Sequence, residues 1–234
     1  MPETAKLGLP LVAPAQAQKH VTVNESLSRL DALVQLSLGS VGQAVPPTSP
    51  SEGEAHAVGA GATGDWTGQD GQVAVFANGG WVFLSPQSGW QGWSDGTRVQ
   101  FDGSDWVEGA GALTANGAGF IHRSIEVDHD IQSGGTSIIG GFVPANAIVY
   151  GVTGRVLTEI GGAAAFEVGV AGASDRYGSG IGTAAASWMR GITGTPLTYY
   201  TATDLLLTAT GGTFDGSGTL RVAVHFAELS LPRA

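Results

Sequence analysis

Between residues 22 and 38 the apolar positions Val23, Leu27, Leu30 and Val34 step by four and three, with Leu33 and Leu36 widening the stripe. That heptad-like pattern predicts one amphipathic helix of roughly sixteen residues, about 24 Å long. Thr22-Val-Asn-Glu25 reads as a capping box at its start, and Gly39 stands where a helix stop is expected. A helix of this length is marginal alone in water, so it needs a partner: either the β-structure of its own chain or another subunit. The run Pro46-Pro47-Thr48-Ser49-Pro50 closes the region.

Beyond the prolines the helical period disappears. Short apolar runs at 55–58, 72–76, 81–84, 90–93, 97–101 and 106–107, divided by Gly-containing turns, predict a small β-meander. Two hairpins read as copies: Val73-Ala-Val-Phe76, Asn78-Gly79, Trp81-Val82 parallels Val99-Gln-Phe101, Asp102-Gly103, Trp106-Val107. Asn-Gly and Asp-Gly supply the positive φ of tight turns, which gives the match a mechanism. After a Gly/Ala/Thr stretch at 108–118, β-rich runs at 125–127, 137–143, 147–160, 166–170, 197–200, 205–210 and 220–231 predict a β-sandwich, most economically a jelly roll. The fold class is therefore mainly β: a short N-terminal helix, a small Trp-rich β-meander module and a C-terminal jelly-roll-like β-sandwich. The divisions fall at 1–45, 46–108 and 109–234. Alanine and glycine load in the last part, as in Gly161-Gly-Ala-Ala-Ala165, suggests a thin core that relies on subunit contacts.

Composition narrows the function. The 234 residues include 38 glycines, no cysteine and 13% charged residues, so thiolate chemistry and Cys-ligated metals are excluded. Ten basic against twenty acidic residues give a net charge of −10, which argues against nucleic acid. Residues 52–130 alone hold eleven Asp/Glu against two Arg. No apolar run reaches the ~20 residues of a membrane span, so no membrane insertion is expected.

Candidate chemistries are few. Gly59-Ala-Gly61-Ala-Thr-Gly64 matches a dinucleotide fingerprint in letters only, because Asp65-Trp66-Thr67-Gly68 follows where a helix must begin. Asp128-His129-Asp130 would alternate faces on a strand, and Asp102 and Asp105 fit a turn better than a catalytic pair. No metal site, cofactor or catalytic residue is expected, and the chain is read as not an enzyme. Aromatics carry more: Trp66, Trp81, Trp90, Trp93 and Trp106 lie close together, as a mini-core or as faces for sugar rings. Trp90 and Trp93 are the candidate sugar contacts there. In the third part, Asp175, Arg176 and Tyr177 are expected in a long polar loop at 173–180 that, with Trp188, offers a second candidate carbohydrate site. Pairing of Arg176 across a subunit contact is the alternative.

The run Ala15-Gln-Ala-Gln-Lys-His-Val-Thr-Val-Asn-Glu-Ser-Leu-Ser-Arg-Leu-Asp-Ala-Leu-Val34 resembles the opening signature of a tail-fibre and spike family of alphaproteobacterial phages and phage-like gene transfer agents. Gly61-Ala-Thr-Gly-Asp-Trp66, Gly80-Trp81-Val-Phe, Pro86-Gln-Ser-Gly-Trp90, Gly151-Val-Thr-Gly-Arg155, Asp175-Arg-Tyr-Gly-Ser-Gly-Ile-Gly182 and Arg221-Val-Ala-Val-His225 are similar to later parts of the same proteins. The head-spike form of the family is the nearest. This resemblance implies a virion-like particle's surface protein, made in the bacterial cytoplasm, with an N-terminal anchoring segment on spike-base, capsid or tail proteins. It further implies a distal β-domain that adheres without catalysis to a host-surface glycan, capsular polysaccharide in particular. A homotrimer is expected, with Val23, Leu27, Leu30 and Val34 as its assembly helix face. A purely structural adaptor and a glycan-cleaving spike are the alternatives.

Overall fold

The computed structural model describes residues 2–12 and 19–234, with only the backbone of 19 and 20. Residues 13–18, which hold the opening of the spike-like signature, lie outside the described residues. The chain forms two compact units, Met1–Gly119 with Leu231–Ala234 and Phe120–Ser230. The boundary expected at 108/109 thus lies at 119/120, and the segments 1–45 and 46–108 share one unit.

In the first unit, α1 (Lys19–Val34) precedes β1 (Ser37–Leu38), β2 (Val41–Gln43), β3 (Ala55–Val58), β4 (Val73–Ala77) and β5 (Gly80–Leu84). Then follow β6 (Gln91–Ser94), β7 (Thr97–Phe101), β8 (Trp106–Glu108) and β9 (Ala110–Leu113). The helix begins earlier than the capping-box reading placed it. Thr22 and Glu25 therefore lie inside it, where Ser26 Oγ donates to the Thr22 carbonyl at 2.8 Å. It also ends at Val34 instead of running to Leu38. Leu36 and Leu38 are 5% and 2% exposed and pack with Ala55, Val73, Val75 and Val99, so burial against strands overrides the helical period there. The inward face of α1 carries Ala32 and Asp31, both 3% exposed.

Two four-stranded sheets follow, ordered β2-β3-β4-β5 and β1-β6-β7-β8. In each, a very short strand pairs in parallel with the next and the remaining pairs are antiparallel. The repeat is therefore a three-strand unit used twice, broader than the hairpin copies read from sequence. Asn78 and Gly79 turn β4 into β5 with φ of 55° and 75°. Its counterpart in the second sheet is the β7–β8 connection with Asp102-Gly103, as the hairpin copies read from sequence place it, and Phe101 pairs Trp106 there as Phe76 pairs Trp81. Gly103 has φ 109°, and Asp95-Gly96 (φ 44° and 76°) makes the separate turn between β6 and β7. Asp102 folds the β7–β8 loop by accepting the Ser104 and Asp105 N–H groups, each at 2.9 Å.

The second unit contains β10 (Gly119–Asp130), β11 (Thr136–Val143), β12 (Ala147–Thr158), β13 (Ala165–Val170), β14 (Ala173–Gly182), β15 (Trp188–Tyr199), β16 (Thr203–Thr210) and β17 (Thr219–Ser230). One sheet runs β15-β12-β17-β10 and the other β11-β16-β13-β14. That order of eight strands in two sheets is the jelly-roll topology. Between the sheets, Phe166, Val168, Leu205, Leu207, Val222 and Val224 have no exposed surface, and Phe226, Leu220 and Val156 are 1% exposed. The sandwich core is contiguous and built of aliphatic and aromatic side chains, so the Ala/Gly-rich stretches do not thin it. At Gly191 an added Cβ would sit 1.8 Å from the Tyr177 carbonyl oxygen, so only glycine allows that approach of β15 to β14.

Candidate functional sites

The outer face of the β15-β12-β17-β10 sheet is set by register. Arg155 on β12 lies opposite Trp188 on β15 and opposite Arg221 on β17, while Thr153 lies opposite Arg190 and Ala223. Residues paired across strands share a face, so Trp188, Arg155 and Arg221 form one row and Arg190, Thr153 and Ala223 the next. Together they line an open depression of ≈ 480 Å³, with Glu126 at its border. Trp188 is 65% exposed. Arg221 is held by Asp128 through two hydrogen bonds of 2.6 and 2.7 Å, with Glu126 3.7 Å away. Those hydrogen bonds push the Arg221 guanidinium up and hold the Asp128 carboxyl below the usual carboxylate value. Among the described residues Arg155 and Arg190 have neither a hydrogen-bond nor an ion-pair partner. Thr153 Oγ1 is 2.9 Å from Nε2 of His225, whose Nδ1 is 2.8 Å from Ser124 Oγ.

Of the residues expected around Trp188, Asp175, Arg176 and Tyr177 do not line this depression. They lie on β14, in a strand where a loop was expected. Tyr177 is 2% exposed, and its hydroxyl is 2.8 Å from that of Tyr199. Burial first, then the Tyr199 hydrogen bond, pushes its phenol far above the ordinary value. Tyr177 is thus a core residue with no face to offer a sugar. Asp175 and Arg176 are exposed. Arg155, Arg190 and Arg221 escaped the sequence reading because they are far apart in the chain and only the register joins them.

In the first unit Trp66 has no exposed surface, and its ring centroid lies 5.1 Å from that of Trp81 and 5.4 Å from that of His56. Trp90 is half-buried, whereas Trp93 is 54% exposed. Trp93 lines a shallow groove with Val34, Gln35, Gln91 and Arg98, so the two candidate tryptophans differ in what they can contact. The stripe on α1 is open: Val23, Leu30 and Val34 are 43%, 52% and 58% exposed and Leu27 half-buried.

Buried His56 is 2.8 Å from Ser40 Oγ through Nδ1 and 2.8 Å from Glu54 Oε1 through Nε2. This Ser-His-Glu relay was not anticipated from sequence. The ring is packed against Trp66 and Trp81 with both nitrogens occupied, which explains a buried polar ring without invoking chemistry. The Asp128-His129-Asp130 run divides as strand geometry requires: Asp128 bonds Arg221, Asp130 bonds Thr219 and His129 bonds Ser137. In the Gly59–Gly64 segment, the Asp70 carboxylate accepts the Gly61 and Ala62 N–H groups and so folds the loop.

A family described as a protein of unknown function, DUF2793, matches residues 23–107, which lie within the first unit. No curated protein matches the chain. Among solved structures, a chain of the cyanophage Pam1 capsid asymmetric unit is similar at 21% identity and a TM-score of 0.33, over 51% of this chain and 91% of that one. A likeness that weak carries no functional weight. No helix among the described residues is long and apolar enough to cross a membrane.

Proposed function

We propose that this protein is a structural attachment component on the surface of a phage-like particle, adhering without catalysis to host-surface glycan, capsular polysaccharide in particular. The observation that carries the reading is Trp188, 65% exposed on a sheet face and beside hydrogen-bonding side chains in an open depression. A large flat aromatic held on a strand loses little conformational freedom on binding and presents an apolar face to a sugar ring. The spike-like run along α1 and the head-spike form of that family support the particle location. Val23, Leu27, Leu30 and Val34 form the assembly face, joining copies of the chain, three in the simplest fibre, or seating it on spike-base, capsid or tail proteins.

The test is binding of the purified chain to encapsulated and capsule-free cells of the same strain, with capsule length followed over time. Capsule-dependent binding with unchanged chain length is expected, individually weak at a Kd of roughly millimolar to micromolar and strengthened by several copies per particle. Absence of binding to either cell type replaces this reading with that of an adaptor, and equal binding to both moves the receptor away from the capsule. Shortened capsule chains replace it with that of a glycan-cleaving spike.

A further inference from the structure

We infer that the Trp188 depression is selective for anionic saccharide: a sugar ring lies on Trp188 while Arg155 and Arg190 take the carboxylate of an acidic sugar unit. The inference rests on the adhesive reading above and specifies its ligand. Three of the chain's ten basic residues converge on this one sheet face in a protein with a net charge of −10, so the local positive character does not follow from composition. Arg155 and Arg221 are directly opposite each other on β12 and β17, a like-charge pairing that costs stability in an antiparallel sheet. Asp128 and Glu126 offset Arg221 alone. Arg155, flanked by Arg221 on one side and Trp188 on the other, remains an uncompensated cation, and Arg190 is its diagonal neighbour through Thr153.

Solvated guanidinium groups beside an exposed tryptophan cost little by themselves, and their like-charge pairing does nothing to stabilise the sheet. They are what an anion-bearing ring requires. Guanidinium groups bind carboxylate through forked hydrogen bonds, and among the described residues neither arginine side chain has a hydrogen-bond or ion-pair partner. Thr153, tied to His225, adds a fixed hydroxyl between them. The division of labour is therefore explicit. Trp188 contributes to binding of any sugar of suitable face, and the two arginines contribute only where the sugar carries a negative group.

The experiment titrates the full chain calorimetrically with uronic-acid tetrasaccharides containing galacturonate, glucuronate or mannuronate, each beside its carboxyl-reduced counterpart, which keeps the ring and removes the charge. At least one acidic tetrasaccharide is expected to bind at least tenfold more tightly than its reduced form. That preference should shrink on raising NaCl from about 0.05 to about 0.5 M. Arg155→Gln with Arg190→Gln should bring the acidic ligand down to the affinity of the reduced one and leave the reduced one unchanged, whereas Trp188→Ala should weaken both. Melting of the double variant should be unchanged or raised, because Arg155→Gln removes the like-charge pair; this excludes a merely structural role for the arginines. Equal affinity for acidic and reduced ligands overturns the inference while capsule binding by the same preparation keeps the adhesive reading. Retained acid preference in the double variant also overturns it. Absence of binding to every tetrasaccharide and to capsule overturns both.

Discussion

The two units place polar groups and tryptophans in opposite ways. Among the described buried residues, Thr4, Asp31, His56, Ser94 and Asp102 are polar or charged in the first unit, while the second has Ser137 alone. The tryptophan distribution is inverted as well. The first unit holds five of the six tryptophans, and one of them, Trp66, has no exposed surface; the single tryptophan of the sandwich is 65% exposed. A large β-sandwich fills its core with aliphatic side chains and phenylalanines and leaves its tryptophan outside. The small duplicated sheets have little interior, so they use tryptophan as filling and carboxylates as clamps. Tryptophan density therefore marks a mini-core here, and the isolated tryptophan lies exposed on a sheet face.

The largest expected effect removes apolar volume from the second unit. Phe166→Ala on β13, at a position with no exposed surface, should destabilise the sandwich by about 3–5 kcal/mol. Because five tryptophans report on the first unit, fluorescence melting separates the two transitions. A loss shared equally by both units would mean that they do not fold as the separate bodies described here.

The matching change in the first unit removes a clamp. Asp102 accepts the Ser104 and Asp105 N–H groups and the Arg233 guanidinium, the last at 2.7 Å. Asp102→Ala should cost about 1–3 kcal/mol through the donors left unsatisfied, less than the cavity at Phe166. The same melting experiment should place this loss in the first unit. A shift below about 0.5 kcal/mol would show that the loop and C-terminal tail hold without it.

Acid should distinguish the units further. Burial on its own would raise the Asp31 and Asp102 carboxyls, but the hydrogen bonds from Lys6 N, Thr4 Oγ1 and Leu7 N on Asp31, and from Arg233, Asp105 and Ser104 on Asp102, outweigh it and hold both below the ordinary 3.8. The unfolded chain then takes up protons first, so this stabilisation is complete above an unfolded pKa of about 4 and is lost as the pH falls through the lower folded values. The first unit's melting temperature should drop between about pH 4 and pH 2 more steeply than the second's. Asp31→Asn should flatten that slope. Parallel slopes in the two units would remove the carboxylate clamps from the explanation.

Much of this architecture is legible in the amino-acid pattern, and its gaps have physical causes. The alternation of Leu220, Val222, Val224 and Phe226 announces β17, and Asn78-Gly79 announces the β4–β5 turn. β14 does not announce itself. Its buried residues Tyr177 and Ile181 are four apart, with Gly178 and Gly180 between them at positive φ and a register shift against β13, so a period of two is never displayed. The helix has the expected sixteen residues, but its bounds lie earlier in the chain, because Leu36 and Leu38 continue an apolar rhythm while serving strand burial. The candidate depression is legible only as Trp188. Its arginines come from β12, β15 and β17, and no local pattern connects them.

The smallest effect on folding is expected at the open stripe of α1, and it sharpens the contrast from the other side. Leu30 and Val34 are 52% and 58% exposed, whereas Ala32 on the same helix is 3% exposed and faces the body of the unit. The helix is thus fixed by one face and leaves the heptad face free. Leu30→Gln with Val34→Gln removes apolar surface that the isolated unit does not use, so its melting should move by no more than about 0.5 kcal/mol. The same substitution should abolish self-association in light scattering, because polar groups at heptad core positions forfeit the packing that joins helices. A large loss of stability in a variant that remains monomeric would mean that the stripe belongs to the unit's own core. Unchanged assembly with unchanged stability would move the subunit contact away from α1, leaving the exposed Trp93 beside Val34 as the next surface to change.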